Sequence, residues 1–600
     1  MQKAELVISI LSQKSKHDKS YVFNRIYRNL FNEDFYLSAY RRLYPKQGNM
    51  TAGMDGKTID GFNKSMIIRL IDRLKSENYH PKPVRRTYIP KKNGKMRPLG
   101  IPSFEDKLVQ EVVRQILEAI YEPVFSNNSH GFRPNRSCHT ALHQIKRTSK
   151  GANWVVEGDI TGCFDNIDHE ILLKILSKKI SDGRLLELIR RFLKSGYLEF
   201  KQVWGSLSGT PQGGIISPIL ANIYLNEFDE FMDSVISENT FGKEKRLNPE
   251  YKRLVNERYR ANKNGETDHA DKLLKEMQTM HARDPMDESY RRTNYVRYAD
   301  DFVVFINGGK ETAVSIKERI AEFFETKLKL ELNASKTLIT NLRTDRVNFL
   351  GYEIAKSQEN TAIKVNSKGV KERTVNGTIQ LLVPGKVIRE KTRPYSKYGK
   401  SHPFLPRVNL PVLDIINEYN AEIRGLYNYY CLATDVSDKL NKFKHIHYFS
   451  LVKTIARKEK SSVHKVIQKY GVEVPRKQGT GTRNIIGVPY KTKRGEKVMT
   501  YFNDSLKKLN EPPVKVIDKF GLGMAFGSQL ITRLNADRCE MCGVENESIE
   551  VHHVRKLKDI VQKYKKRKST IPAWVLQMSR MNRKTLIVCK DCHRRIHAGK

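Results

Sequence analysis

The 600-residue chain has no apolar run of about 18 residues, the length a membrane-spanning helix needs. No segment is therefore expected to cross a bilayer. Acid is scarce as well: 66 Asp and Glu stand against 108 Lys and Arg, a formal net charge of +42. Such a surface calls for a polyanionic partner, nucleic acid first, because neutralising phosphates releases counterions. Cysteine is too sparse for a disulfide framework, and four of the seven fall in the last 62 residues. They read as thiols or metal ligands in a reducing cytoplasm. Met1 to Ser20 lacks a secretory pattern, since Leu6 to Leu11 is too short an apolar core. The length predicts three or four units with cores of their own.

What is present is organised around Tyr298-Ala299-Asp300-Asp301. Two β-favouring runs, Asn294 to Arg297 and Phe302 to Ile306, flank the carboxylates and predict a hairpin with acid at its tip. A bare Asp-Asp pair is usually a solvated turn. Buried, the two charges need a multivalent cation, and Mg²⁺ suits because it shares hard oxygen ligands with phosphates. A third carboxylate stands upstream: Trp154 to Ile160 reads as a buried strand ending in Asp159. If the two strands neighbour each other, Asp159, Asp300 and Asp301 converge. The Ile160 carbonyl could then complete a two-cation site, and Phe164 could lie under the sugar of a nucleotide. Asp165 and Asp168 read as first-turn acids favoured by a helix dipole.

Upstream, residues 1–80 read as polar and helical, with Phe23, Ile26, Tyr27 and Leu30 at helical spacing. Pro83 to Pro90 and Met96 to Pro102 predict a basic hairpin in which Arg97 offers a phosphate fork and Lys91 or Lys92 a point charge. Gly209 to Pro218 is a glycine-rich turn into a helix from Ile219 to Asp233. Residues 234–293 read as a charged helical insertion. Ala313 to Lys327 predicts a helix, Leu328 to Leu332 a strand, Asn333 to Thr337 a turn, and Val347 to Ile354 a further strand. The tyrosine-rich stretch Asn417 to Tyr430 reads as packed helix core ahead of a base-stacking surface. The basic stretch Lys477 to Lys497 is as readily a solvated face as a DNA contact.

At the C-terminal end, Cys539-x2-Cys542 and Cys589-x2-Cys592 have the spacing of a four-thiolate zinc site. A purely structural knuckle would leave four histidines unexplained. His593 and His597, at i and i+4, share one helix face and could join His552 around one cation. That leaves His553 free as the general base for water attacking phosphate.

The six elements from Arg97 through Asp159–Asp165, Pro211-Gln212-Gly213-Gly214, Tyr298–Asp301 and Lys336 to Phe349-Leu350-Gly351-Tyr352 resemble, in that order, the group II intron-encoded reverse transcriptases. The C-terminal set resembles an HNH nuclease of the ββα-metal type, with Lys584 where an Asn usually stands and Asn582 two residues earlier. The resemblance implies an α+β, multidomain right-hand polymerase: fingers and palm with an antiparallel sheet over 81–364, 1–80 extending the fingers and 234–293 inserted. A helical thumb or maturase region follows over 365–460, a basic DNA-binding region over 461–535 and a small ββα-metal HNH domain over 536–600. It further implies two Mg²⁺ at Asp159, Ile160, Asp300 and Asp301. One Mg²⁺ would sit at the histidines and structural Zn²⁺ at the cysteines. Nucleotide contacts fall to Lys91, Arg97, Phe164, Gln212 and Lys336, with Phe164 as the gate against ribonucleotides. Implied partners are intron RNA, target double-stranded DNA and dNTPs, with no membrane and a homodimer allowed. The implied location is the bacterial cytoplasm, at the nucleoid when DNA is bound. The rival reading is an RNA-binding splicing cofactor with an inactive polymerase. Intact Asp159, Asp300, Asp301 and Arg97 argue against it.

Overall fold

A computed structural model describes residues 2–90, 94, 96–199, 202–204, 213–284, 287–359, 363–365, 369, 371–373, 377–477, 480–492, 495–513, 529–545, 549–566 and 570–599. At its centre lies a four-stranded antiparallel sheet in the order Arg292–Tyr298, Asp301–Asn307, Trp154–Asp159, Leu338–Asn341. Strand side chains alternate between faces, and both faces of this sheet are apolar. Tyr295, Phe302, Val304, Ile306 and Val156 enter one core with the helices Ser217–Glu238 and Lys310–Leu328. Val296, Val303, Phe305 and Val155 enter a second core with the helix Cys138–Thr148 and the later half of the chain. A one-residue slip would carry each strand's side chains into the wrong one of these two packed cores, which fixes where its strand ends point.

The hairpin Val84–Pro90 with Met96–Ile101 pairs antiparallel in register, Ile89 facing Arg97. Phe104–Tyr121 follows as a helix capped by Ser103. The charged insertion is helical as expected, Pro249–Lys263 and Thr267–Met277, and Leu254, Ala261, Ala270, Leu273 and Met277 give it a small core of its own. Three expectations are corrected. Phe23, Ile26, Tyr27 and Leu30 are buried, but in an irregular segment and the 3₁₀ turn Tyr27–Phe31, because Phe23 bridges to Ile180 as a strand residue. The 328–332 stretch is no strand: Leu328 ends a helix, Lys329 turns left-handed at φ 48°, and Leu332 alone bridges to Ile160. The stretch from Val347 splits into two strands, Val347–Phe349 and Tyr352–Lys356, about a turn at Leu350 and Gly351, φ 47° and 71°. Glycine supplies the second left-handed position at no steric cost.

Val412–Tyr430 and Val436–Lys458 pack as a helix pair beside a three-stranded antiparallel sheet, Gly471–Pro475, Thr482–Thr492 and Gly495–Thr500. Tyr419 and Tyr430 belong to this core and Tyr427 packs against it, while Tyr429 is exposed. The Tyr419 hydroxyl meets Ser450 Oγ at 3.0 Å, and the Tyr430 hydroxyl donates to the Gly351 carbonyl at 3.0 Å. The C-terminal unit pairs Ile549–His553 with Thr585–Cys589 and ends in the helix Lys590–His597. Its first strand has a second neighbour from the far end of the chain. Gly61 N–H donates to Val551 O at 3.1 Å and Val551 N–H to Phe62 O at 2.9 Å. No described helix is long and apolar enough to cross a membrane.

Candidate active sites

Asp159 ends one central strand directly opposite Asp301, the first residue of its neighbour, and Asp300 precedes it in the two-residue turn. The turn is tight because Ala299 is left-handed, φ 57°. Burial, then the nearby Asp159, raises the pKa of Asp300 above the usual carboxylate range. Burial, the charge of Asp300 and a hydrogen bond with Asp159 push Asp301 up to about 7. Two carboxyls held above their ordinary range beside a third are what a divalent cation would relieve. Lys336 Nζ lies 2.8 Å from Asp159 Oδ2, and Asn333 Nδ2 donates to the same oxygen at 3.2 Å. That contact raises the Lys336 pKa.

The other expected residues surround this centre in part. Arg97 is exposed on its strand, and its charge reaches Asp300. Phe164 is half-buried, its ring edge-on to Phe132 at 6.3 Å. Ile160 is buried and anchored through the bridge to Leu332. Asp168 caps the helix His169–Ser177 and pairs with Lys329 at 3.2 Å, the first-turn role expected of it. Lys91 and Gln212 lie outside the described residues.

The sequence reading missed the group that holds the turn. Arg297 is fully buried, donates to both oxygens of buried Asp229 at 2.8 and 2.5 Å, and donates through Nη1 to the Ala299 carbonyl at 2.8 Å. Tyr295 and Ser129 Oγ complete the network at 2.8 Å each. Asp229 stands between Glu227 and Glu230 in the sequence, so nothing there singled it out. Gly158 was missed too: a Cβ there would lie 2.0 Å from the Phe302 ring.

The second site lies in the C-terminal unit. Cys539, Cys542, Cys589 and Cys592 bring their sulfurs within 4.8 Å of one another, and the Cys542 and Cys592 N–H groups point at Cys539 and Cys589 sulfur, 3.5 Å each. Four convergent thiols without a disulfide fit a tetrahedral cation. His552, His593 and His597 also converge, with His593 and His597 Nε2 atoms 3.2 Å apart. Neither ring nitrogen of buried His552 makes a well-aligned hydrogen bond among the described residues, which suits a metal ligand. Asp60, which the sequence reading did not single out, joins this cluster: Oδ1 lies 3.3 Å from His552 Nδ1 and Oδ2 2.8 Å from His597 Nε2. Burial opposes the charge on Asp60, but the contacts with His552 and His593 outweigh it and hold its pKa far down. Burial alone would lower the pKa of His593, yet Asp60 and Glu550 raise it to about 9.

His553 is not free as expected. Its Nε2 lies 2.6 Å from the Tyr40 hydroxyl, and burial pushes its pKa down to about 4, so the ring is neutral. It pairs across the sheet with Thr585, and Lys584, not Asn582, lines the roughly 310 Å³ cavity beside it. Asn582 instead ends the helix Ala573–Met581 in a left-handed turn.

These geometries meet three known families. Residues 89–243 and 269–354 match reverse transcriptase (RNA-dependent DNA polymerase), residues 378–536 type II intron maturase, and residues 539–593 the AI2M/AI1M-like HNH endonuclease. The group II intron-encoded protein LtrA of Lactococcus lactis subsp. cremoris is 42% identical, covering 98% of both chains. An uncharacterized 91 kDa protein in the cob intron of Schizosaccharomyces pombe is 35% identical over 99% of this chain and 73% of its own length. A putative COX1/OXI3 intron 2 protein of Saccharomyces cerevisiae is 31% identical over 98% of this chain and 68% of its own. The class is thus an RNA-directed DNA polymerase joined to a DNA endonuclease. With a maturase region between them, the chain belongs to the multifunctional group II intron-encoded proteins.

Proposed function

We propose that Asp159, Asp300 and Asp301, with the Ile160 carbonyl, hold two Mg²⁺ ions at which the chain copies RNA into DNA. The facing of Asp159 and Asp301 across one strand pair, with Asp300 in the adjoining turn, carries this reading. Bound there, the ions would activate the primer 3′ hydroxyl and stabilise the leaving pyrophosphate. Lys336 and Asn333 orient Asp159, and the Arg297–Asp229 pair fixes the turn that presents Asp300. Arg97, with Lys91, Gln212 and Lys336, contacts the dNTP, and Phe164 packs beneath its sugar to exclude a 2′ hydroxyl.

The layout follows a right hand, with residues 1–80 and 81–364 as fingers and palm, 365–460 as thumb, 461–535 as a DNA-binding region and 536–600 as the nuclease. The thumb side grips intron RNA and assists its splicing. At the nuclease, His552, His593 and His597 hold one Mg²⁺, His553 accepts the proton of the attacking water, and the four cysteines hold Zn²⁺ as a staple. Nicking one strand of the DNA target yields the 3′ end that primes synthesis on the inserted intron, in the bacterial cytoplasm at the nucleoid. The test is primer extension on a long RNA template with Mg²⁺, wild type against the Asp300→Ala, Asp301→Ala double variant. DNA from the wild type alone supports the assignment. No product from a folded, RNA-binding wild type would leave a splicing cofactor.

A further inference from the structure

The histidine cluster is built from both ends of the chain. Its ligand atoms from Asp60, His552, His593 and His597 lie within 4.8 Å of one another. Asp60 is steered there by main-chain pairing, since Gly61 and Phe62 add to the nuclease strand at Val551. The same carboxylate accepts the His553 N–H at 2.7 Å. Beside it, Phe62 is fully buried and stacks on Tyr40 with ring centroids 3.7 Å apart, and Tyr40 bonds His553. Lys64 pairs with Asp537 at 2.9 Å, a further tie between the two ends.

Three histidines leave an octahedral Mg²⁺ three positions for water or phosphate, and Asp60, whose carboxylate lies among their ligand atoms, stands at one of them. We propose that Asp60 is the fourth protein ligand of the nuclease ion and takes a position that phosphate needs, while Tyr40 holds His553 from water, as long as the nuclease lies against residues 40–62. Phosphate gains the ion, and water gains His553, only when this N-terminal segment is displaced. The inference rests on the nuclease reading of the histidines, but its ligand set is measurable without any nicking.

The experiment uses the full chain with zinc supplied to the cysteines and Mn²⁺ as the probe. In the Asp300→Ala, Asp301→Ala background, which removes the competing carboxylate site, calorimetry compares Mn²⁺ binding with and without Asp60→Ala. Affinity is expected to fall by about tenfold or more, at least the loss that follows removal of a group supporting a metal ligand. In the otherwise native chain at saturating Mn²⁺, Asp60→Ala is expected to nick duplex DNA several-fold faster and to synthesise cDNA as the wild type does. Asp60→Asn, which preserves shape, repeats both measurements should the alanine variant misfold. Unchanged Mn²⁺ affinity overturns the ligand assignment, and weaker binding with nicking no faster than wild type overturns the occlusion of phosphate. If Asp60→Ala weakens binding while His553→Ala still nicks, the ligand set stands and the general-base reading falls.

Discussion

The two proposed catalytic centres are assembled in opposite ways. At the polymerase centre the carboxylates come from strands of one sheet, and register alone sets Asp159 against Asp301. At the nuclease centre a carboxylate from residue 60 meets histidines near residue 600, and the contact that steers it spans 493 residues. The first centre is presented by its own scaffold. The second is completed where residues 40–62 and the nuclease strands share one core, so it exists only while that contact holds. A chain that must synthesise DNA only after it has nicked a strand gains from one permanent site and one conditional one.

The sharpest test of this contrast is to disable each centre alone. Asp300→Ala with Asp301→Ala should lower primer extension by at least about 10³-fold, the scale on which a catalytic unit fails together. Nicking and intron RNA binding should persist, and loss of assisted splicing in a folded variant would join functions that the geometry keeps apart. His553→Ala should lower nicking by roughly 10² to 10⁴-fold, the usual contribution of a positioned base, and spare cDNA synthesis on a supplied primer. Nicking at the wild-type rate would move the base elsewhere.

Smaller effects probe the scaffold. Arg297→Met leaves Asp229 charged and buried, and should cost about 3–5 kcal/mol in denaturant unfolding of the polymerase unit, with a loss of kcat as the turn loosens. Full stability would remove the pair from the account of the turn. Gly158→Ala drives a methyl into the Phe302 ring and should cost about 1–3 kcal/mol, recovered in part by Phe302→Leu. Additive losses in the double variant would argue against that contact. The pH dependence is subtler. Asp301, raised to about 7, binds its proton more tightly folded than unfolded. Its contribution to stability is therefore present in acid and is lost as pH rises from about 4 through about 7. Mg²⁺ competes with that proton, so the rise in Tm on adding Mg²⁺ should be larger near pH 8 than near pH 6. Equal shifts would mean the carboxyls are ionised already.

The polymerase centre was legible because each strand announced itself within ten residues and the acids stood at strand ends. The hairpin at Leu350 and Gly351 was read as one strand because both arms carry the same apolar texture and only a left-handed pair separates them. Arg297 and Asp229 escaped notice because a buried ion pair between a strand and a helix leaves no periodic trace. Asp60 was invisible for a different reason. It is a single acid in a loop, and its meaning comes entirely from a strand at the other end of the chain.

That strand also sets a timetable for synthesis. Tyr40 and Phe62 leave the ribosome early, yet the nuclease strand that covers them follows nearly 500 residues later. At about 5–20 residues per second the wait is roughly 25–100 s. For that interval the nascent chain carries unpaired main-chain groups at Gly61 and Phe62 and an uncovered aromatic pair, a ready surface for chaperones and for wrong partners. Chains released before residue 551 would keep it for life, so shortened products should be cleared or aggregate even where their polymerase unit has folded.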